Sequence, residues 1–120
     1  DLTVPNLTAD KIILDEADLT SDTATTSFPF PTTIYQFSDT TYNSAELVIT
    51  ATDGNNRHIT KLLIVHDGST AYATEFATIY TNASLATYEV SMSGGNVIVN
   101  AVAASSNSTT YNISATLIKD

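Results

Sequence analysis

Residues 59–80 read ITKLLIVHDGSTAYATEFATIY. Two apolar, β-branched and aromatic runs flank Asp67-Gly68. An Asp-Gly pair in that setting is a hairpin signal, because the turn needs positive φ and Gly supplies it without steric penalty. The first arm holds Leu62, Leu63, Ile64 and Val65 in succession. An unbroken apolar run predicts a strand covered on both faces, which places the hairpin in the middle of a sheet.

The pattern extends outward from this hairpin. Upstream, Ala45, Leu47, Ile49 and Ala51 alternate with Glu46, Val48, Thr50 and Thr52, a period-2 strand with one wetter face. Asp53-Gly54-Asn55-Asn56 turns that strand into the hairpin. Downstream, residues 85–92 form a strand, and Ser93-Gly94-Gly95-Asn96 reverses the chain. Gly94, Gly95 and Asn96 therefore join Asp67 and Gly68 as structural turn residues. Residues 97–103 alternate again. In residues 109–118, Tyr111, Ile113, Ala115 and Leu117 share one face. Six strands follow Ser44, spaced roughly 10 to 13 residues apart, and no segment keeps a 3.6-residue apolar period. The expected fold is an all-β, antiparallel β-sandwich of jelly-roll-like form.

The first 36 residues are less regular. Residues 1–10 (DLTVPNLTAD) alternate around Pro5, which cannot donate to a ladder, so they suit a sheet edge or an extended arm. Leu2, Val4, Pro5 and Leu7 are the expected assembly arm, adding to the sheet edge of a neighbouring subunit. Residues 12–14 form a short apolar core, residues 21–26 a polar connection. Phe28-Pro29-Phe30-Pro31 is extended, since each Pro forces its predecessor out of the α region, and it is expected to plant two aromatics in the core. The layout is a single domain with an arm and edge strands over 1–36 and a sandwich body over 37–120.

At 120 residues the chain is long enough to bury a core. Thirteen acids against four bases give a net charge of −9, which disfavours nucleic acid and anionic membrane as partners. Without cysteine, disulfides, zinc-thiolate sites and thiol catalysis are excluded. No apolar run is long enough for a membrane-spanning helix. A start at Asp1 and the lack of a signal peptide fit a processed chain or part of a longer one.

Candidate chemistry is sparse. His58 and His66 are the two histidines; on one strand they stand roughly 26 Å apart, too far to share a metal. His66 beside Asp67 could titrate as a pair, but the favoured role is closing the turn by hydrogen bonding. No nucleophile elbow marks a catalytic serine, so no catalytic residue is assigned and the chain is expected to be non-enzymatic. Asp15, Glu16, Asp18 and Asp22 lack the glycine and terminal glutamate of a calcium loop and are expected to be a solvated loop. No metal and no cofactor are expected. Six tyrosines could stack on sugars, but tyrosine in a sheet more often packs inward. Sequons at Asn6, Asn82, Asn107 and Asn112 arise readily in so Asn-, Ser- and Thr-rich a chain.

Several segments carry a family likeness: Tyr42-Asn43-Ser44-Ala45-Glu46, residues 61–72 (KLLIVHDGSTAY), Thr74-Glu75-Phe76, Leu85, Ser93-Gly94-Gly95-Asn96-Val97 and Thr116-Leu117-Ile118. In this order they resemble a module of virion structural proteins of tailed bacteriophages, especially those infecting cyanobacteria. The likeness covers about two thirds of the chain, residues 37–118. Asn43 stands where such modules usually carry a basic residue, and Ala77 where they usually have Gly. The resemblance implies a structural module of a phage particle, in capsid decoration, fibre or baseplate, located on the virion and acting in assembly. Its implied partners are other copies of itself, as a homo-oligomer, and other virion proteins. The alternatives are a receptor-binding tip that grips host surface glycans, or a subunit of an extracellular filament built by strand donation.

Overall fold

The computed structural model describes residue 6 and residues 8–120 of the chain. Leu2, Val4, Pro5 and Leu7 of the expected arm lie outside the described residues. The alternating segments become strands β1 (Lys11–Ile13), β2 (Ala17–Thr26), β3 (Thr32–Ser38), β4 (Tyr42–Asp53), β5 (Asn56–His66), β6 (Ala71–Tyr80), β7 (Ala86–Ser93), β8 (Asn96–Ala103) and β9 (Thr109–Lys119). They pair antiparallel into a six-stranded sheet, order β1-β2-β9-β4-β5-β6, and a three-stranded sheet, order β3-β8-β7. The fold is the all-β, antiparallel sandwich the alternation predicts. The split of six strands and three does not by itself establish a jelly roll.

The period-2 patterns set the core. Leu47, Ile49 and Ala51 of β4, Leu62 and Ile64 of β5, and Tyr111, Ile113, Ala115 and Leu117 of β9 project inward. They meet Val97, Val99 and Ala101 of β8, with Ile34, Tyr35 and Phe37 of β3, from the opposing sheet. Registers such as Leu47↔Leu62 and Leu47↔Ala115 hold these side chains on one face across three strands. A slip of one residue would turn all of them outward, so this burial fixes the register.

Three expectations need correction. The hairpin lies at the margin of the sheet, with β6 as an edge strand. The small sheet is three strands wide and covers only part of the larger one. No residue of β6 is buried, and Leu63 and Val65 of β5 are exposed. Residues 21–26, read as a connection, belong to β2, which pairs with β9 from Ala17↔Ile118 to Thr26↔Thr109. The strand was hidden because its residues are polar on both faces. Phe28 and Phe30 are exposed and lean on each other, ring centroids 5.9 Å apart, rather than entering the core. The prolines extend the segment as expected, but it runs along the surface.

Two of the three reversals in this region differ in kind. Between β7 and β8, Ser93 pairs with Asn96 around Gly94 and Gly95, both at positive φ (61° and 85°), the signature of a two-residue hairpin loop. Between β5 and β6 the loop is longer, with Gly68 at φ 93°. There the Asp67 carboxylate accepts from the Ser69 and Thr70 amides at 2.9 and 2.8 Å.

Candidate functional site

Each strand of the large sheet turns alternate residues toward solvent, and the registers line these up in rows. One row runs Ser21, Ser114, Val48, Lys61, Phe76 across β2, β9, β4, β5 and β6. The next runs Thr23, Asn112, Thr50, Ile59, Ile79. A third begins Thr25, Thr110, Thr52. The outer face is therefore divided. Over β2, β9 and β4 it presents hydroxyls and an amide around Val48; over β5 and β6 it is mostly apolar, with Lys61 among the apolar side chains.

The polar half holds a shallow groove of about 680 Å³, lined by Ser21, Asp22, Thr23, Val48, Thr50, Asn112, Ile113 and Ser114. One cross-strand bond fixes two of its side chains, and a second ties the row beside it. Thr23 Oγ1 donates to Asn112 Oδ1 at 2.9 Å, and the Thr25 and Thr110 hydroxyls lie 3.1 Å apart. Side chains held on a rigid sheet lose little freedom when they engage a ligand. With strands about 4.8 Å apart and alternate residues about 6.8 Å apart, the face is a lattice of donors and acceptors. The Asp22 side chain, opposite Ile113, has the parity of Asp18 and Ala24 and points to the other face.

The other sequence candidates fall elsewhere. At the hairpin tip the imidazole of His66 closes the turn: Nδ1 accepts from the Gly68 amide at 3.0 Å, so Nε2 carries the proton and donates to the Tyr42 carbonyl at 2.6 Å. Hydrogen bonds from the Thr70 and Ser69 amides hold the Asp67 carboxyl below its ordinary pKa. His58 is buried, with Nδ1 accepting from the Leu85 amide at 3.1 Å, and its burial lowers its pKa. The four-acid cluster is not one solvated loop. Asp18 is buried in β2, accepts from the Tyr42 hydroxyl and lies 3.3 Å from Lys119 Nζ. Asp18 shares the inward face of β2 with Ala24, a placement that only the pairing of β2 with β9 reveals. Tyr35, Tyr42 and Tyr111 are buried and Tyr88 packs on Tyr111, whereas Tyr72 and Tyr80 on β6 are exposed.

No family model and no curated protein matches the sequence. Two solved structures share the fold. The tailspike protein of Acinetobacter baumannii phage AM24 aligns with a TM-score of 0.52 at 8% identity, over 85% of this chain and 26% of that one. The tailspike gp49 of Acinetobacter baumannii bacteriophage Fri1, a capsular polysaccharide depolymerase, aligns at 0.50 with 13% identity, over 88% of this chain and 19% of that one. The chain thus spans about a fifth to a quarter of these neighbours. They are phage virion proteins, as the resemblance implied, but from phages of Acinetobacter, and the cyanobacterial emphasis finds no support in them. They also correct the expectation of a non-enzymatic protein, because the Fri1 neighbour that contains this fold is a depolymerase. The missing nucleophile elbow was a poor guide. Glycosidic bonds are commonly cleaved by two carboxylates brought together in space, which leave no short motif.

Proposed function

We propose that the chain is a β-sandwich module of a tailspike-type phage tail protein that acts on host capsular polysaccharide. The observation that carries this reading is the shared sandwich fold with the AM24 and Fri1 tailspikes. Cleavage is assigned to the tailspike as a whole, and to this module a surface along which the polymer lies. The hydroxyl- and amide-lined groove over β2, β9 and β4 suits that task. Sugars offer hydroxyls at close spacing, and Thr, Ser and Asn side chains carried on one sheet face pair with them without burying charge. The net charge of −9 favours uncharged stretches of polymer over acidic ones.

The test is affinity electrophoresis of the full chain through gels cast with purified capsular polysaccharides, neutral and acidic. Retardation by a neutral polysaccharide, reduced in a Thr50→Leu/Ser114→Leu chain, is the expected result. Unchanged migration in every gel would overturn the reading. Gold-labelled antibody against the chain should mark the tail of phage particles that contain it, and label confined to the capsid would reject the tail assignment.

A further inference from the structure

Asp-Gly occurs twice, at Asp53-Gly54 and Asp67-Gly68, and the two turns stand at opposite ends of β5. The pair is chemically labile. With no side chain on glycine to obstruct it, the glycine nitrogen can attack the carboxyl carbon of the preceding aspartate. A C–N bond forms, one carboxyl oxygen leaves as water with the amide proton and a proton from solvent, and a succinimide ring remains. Water reopens the ring, and opening at the main-chain carbonyl routes the backbone through the side chain as isoaspartate. The mass is unchanged and the backbone gains one carbon. The ring closes only when the carboxyl swings onto the next nitrogen, so bonds that hold either group elsewhere prevent it.

The two turns differ in those bonds. Around Gly68 both reacting groups are held. The Asp67 carboxylate accepts from the Ser69 and Thr70 amides at 2.9 and 2.8 Å, and the Gly68 N–H donates to His66 Nδ1 at 3.0 Å. The same two amides keep the Asp67 carboxyl ionised to lower pH, and a carboxylate is a poorer target for attack than the neutral acid. Around Gly54 neither group is held as firmly. Asp53 pairs with Asn56 across a two-residue loop, with Gly54 at φ 59°. The Asp53 carboxylate accepts a single bond, from Nδ2 of Asn107 at 3.1 Å, and Asn107 is an exposed loop residue. Arg57 ties the Gly54 carbonyl at 2.8 Å, but among the described residues nothing accepts from the Gly54 N–H. We propose that Asp53-Gly54 is the site at which this chain converts to isoaspartate, while His66, Ser69 and Thr70 protect Asp67-Gly68. One added carbon in a two-residue loop breaks the Asp53↔Asn56 pairing and releases the loop that carries Asn107.

Storage of the full chain at mildly acidic pH for several weeks tests the assignment. Trypsin places the two pairs in separate peptides, residues 12–57 and 62–119, and electron-transfer fragmentation distinguishes isoaspartate from aspartate in each. In the folded chain, isoaspartate at Asp53 should exceed that at Asp67 at least about tenfold, because the bonds to the charged Asp67 carboxylate must open before its ring can close. In urea the two should form at similar rates. His66→Leu should raise the yield at Asp67 and leave the yield at Asp53, which reports any general loosening, as in the parent. Equal yields at the two sites in the folded chain, or isoaspartate at Asp53 in urea but not in the folded chain, overturn the proposal. So does an unchanged or lower yield at Asp67 in His66→Leu; a lower one would make the imidazole the base that draws the proton from Gly68.

Discussion

Tyr42, the first residue of β4, donates its hydroxyl hydrogen to the buried carboxylate of Asp18 on β2, 2.5 Å away, although β9 lies between the two strands. Lys119 at the end of β9 approaches the other carboxylate oxygen at 3.3 Å, so one acid ties three strands at a corner of the sheet. The Tyr42 bond, with Lys119 behind it, holds the Asp18 carboxyl below its ordinary 3.8 against the opposing effect of burial. The same bond is the main reason the Tyr42 hydroxyl is pushed up to about 12. A carboxylate with a lowered folded pKa contributes stability above its unfolded pKa, and that contribution is lost as pH falls through the folded value. Acid unfolding should therefore begin below pH 4. Tyr42→Phe should lower the melting temperature at pH 7 and move the acid midpoint upward. An unchanged acid midpoint in the variant would reject the role given to this bond.

His58 should add a second pH dependence at milder acidity. Its Nδ1 accepts from the Leu85 amide, and burial lowers its pKa from 6.5 while Glu75 pulls the other way. Tyr80 packs edge-on to the ring from β6. A protonated ring cannot accept the Leu85 N–H, so the neutral form is the one that fits. With the folded pKa below the unfolded one, stability is complete above about pH 6.5 and declines as pH falls through the lowered value. Urea midpoints between pH 7.5 and 5 should fall with pH in the parent and stay flatter in His58→Asn. Equal slopes in the two proteins would sink this assignment.

Gly68 should resist substitution for reasons of backbone alone. Its φ is 93°, and a Cβ built there meets nothing within 4 Å. Gly68→Val thus pays no packing penalty but places a β-branched residue where L side chains are strained, at about 1–3 kcal/mol. Chemical denaturation of the purified variant measures this directly, and a loss under about 0.5 kcal/mol would mean that the turn rearranges freely.

How far the sequence disclosed these features depended on whether one strand sufficed to show them. The sandwich was legible from the alternation in residues 45–51 and 111–117, because period 2 and one buried face determine a strand by themselves. β2 was not legible, since its Ser, Thr and Asp residues give no apolar period and only pairing with β9 makes it a strand. The position of the hairpin was misread because the run Leu62–Val65 reports that both faces want cover, not whether the same chain provides it. The groove at Thr23, Thr50 and Asn112 was invisible for a related reason: its residues come from three strands far apart in sequence and meet only through register.

Ala77 on β6 is the one non-glycine residue at positive φ among the described residues. The phage-module resemblance marked it as a position where Gly is usual, and its φ of 56° supplies the cause. Phe76 pairs with Lys61 and Ile79 with Ile59, so Ala77 and Thr78 together oppose the single residue Thr60. A bulge of this kind favours a left-handed residue in its first position, which Gly occupies without the Cβ clash. Thr60 clamps the bulge from below, its hydroxyl 2.6 Å from the Thr78 hydroxyl and 3.3 Å from the Phe76 carbonyl. An alanine held left-handed costs about 1–2 kcal/mol, of which the greater chain entropy of Gly takes back part. Ala77→Gly should therefore stabilise the chain by about 0.5–1 kcal/mol in urea denaturation, an unusual sign for a glycine placed within a strand. Thr60→Val, which removes the clamp but keeps the shape, should destabilise it by about 1 kcal/mol or more, because the Thr78 hydroxyl loses its partner. If Ala77→Gly destabilises instead, the left-handed bulge is not the conformation of β6 in solution.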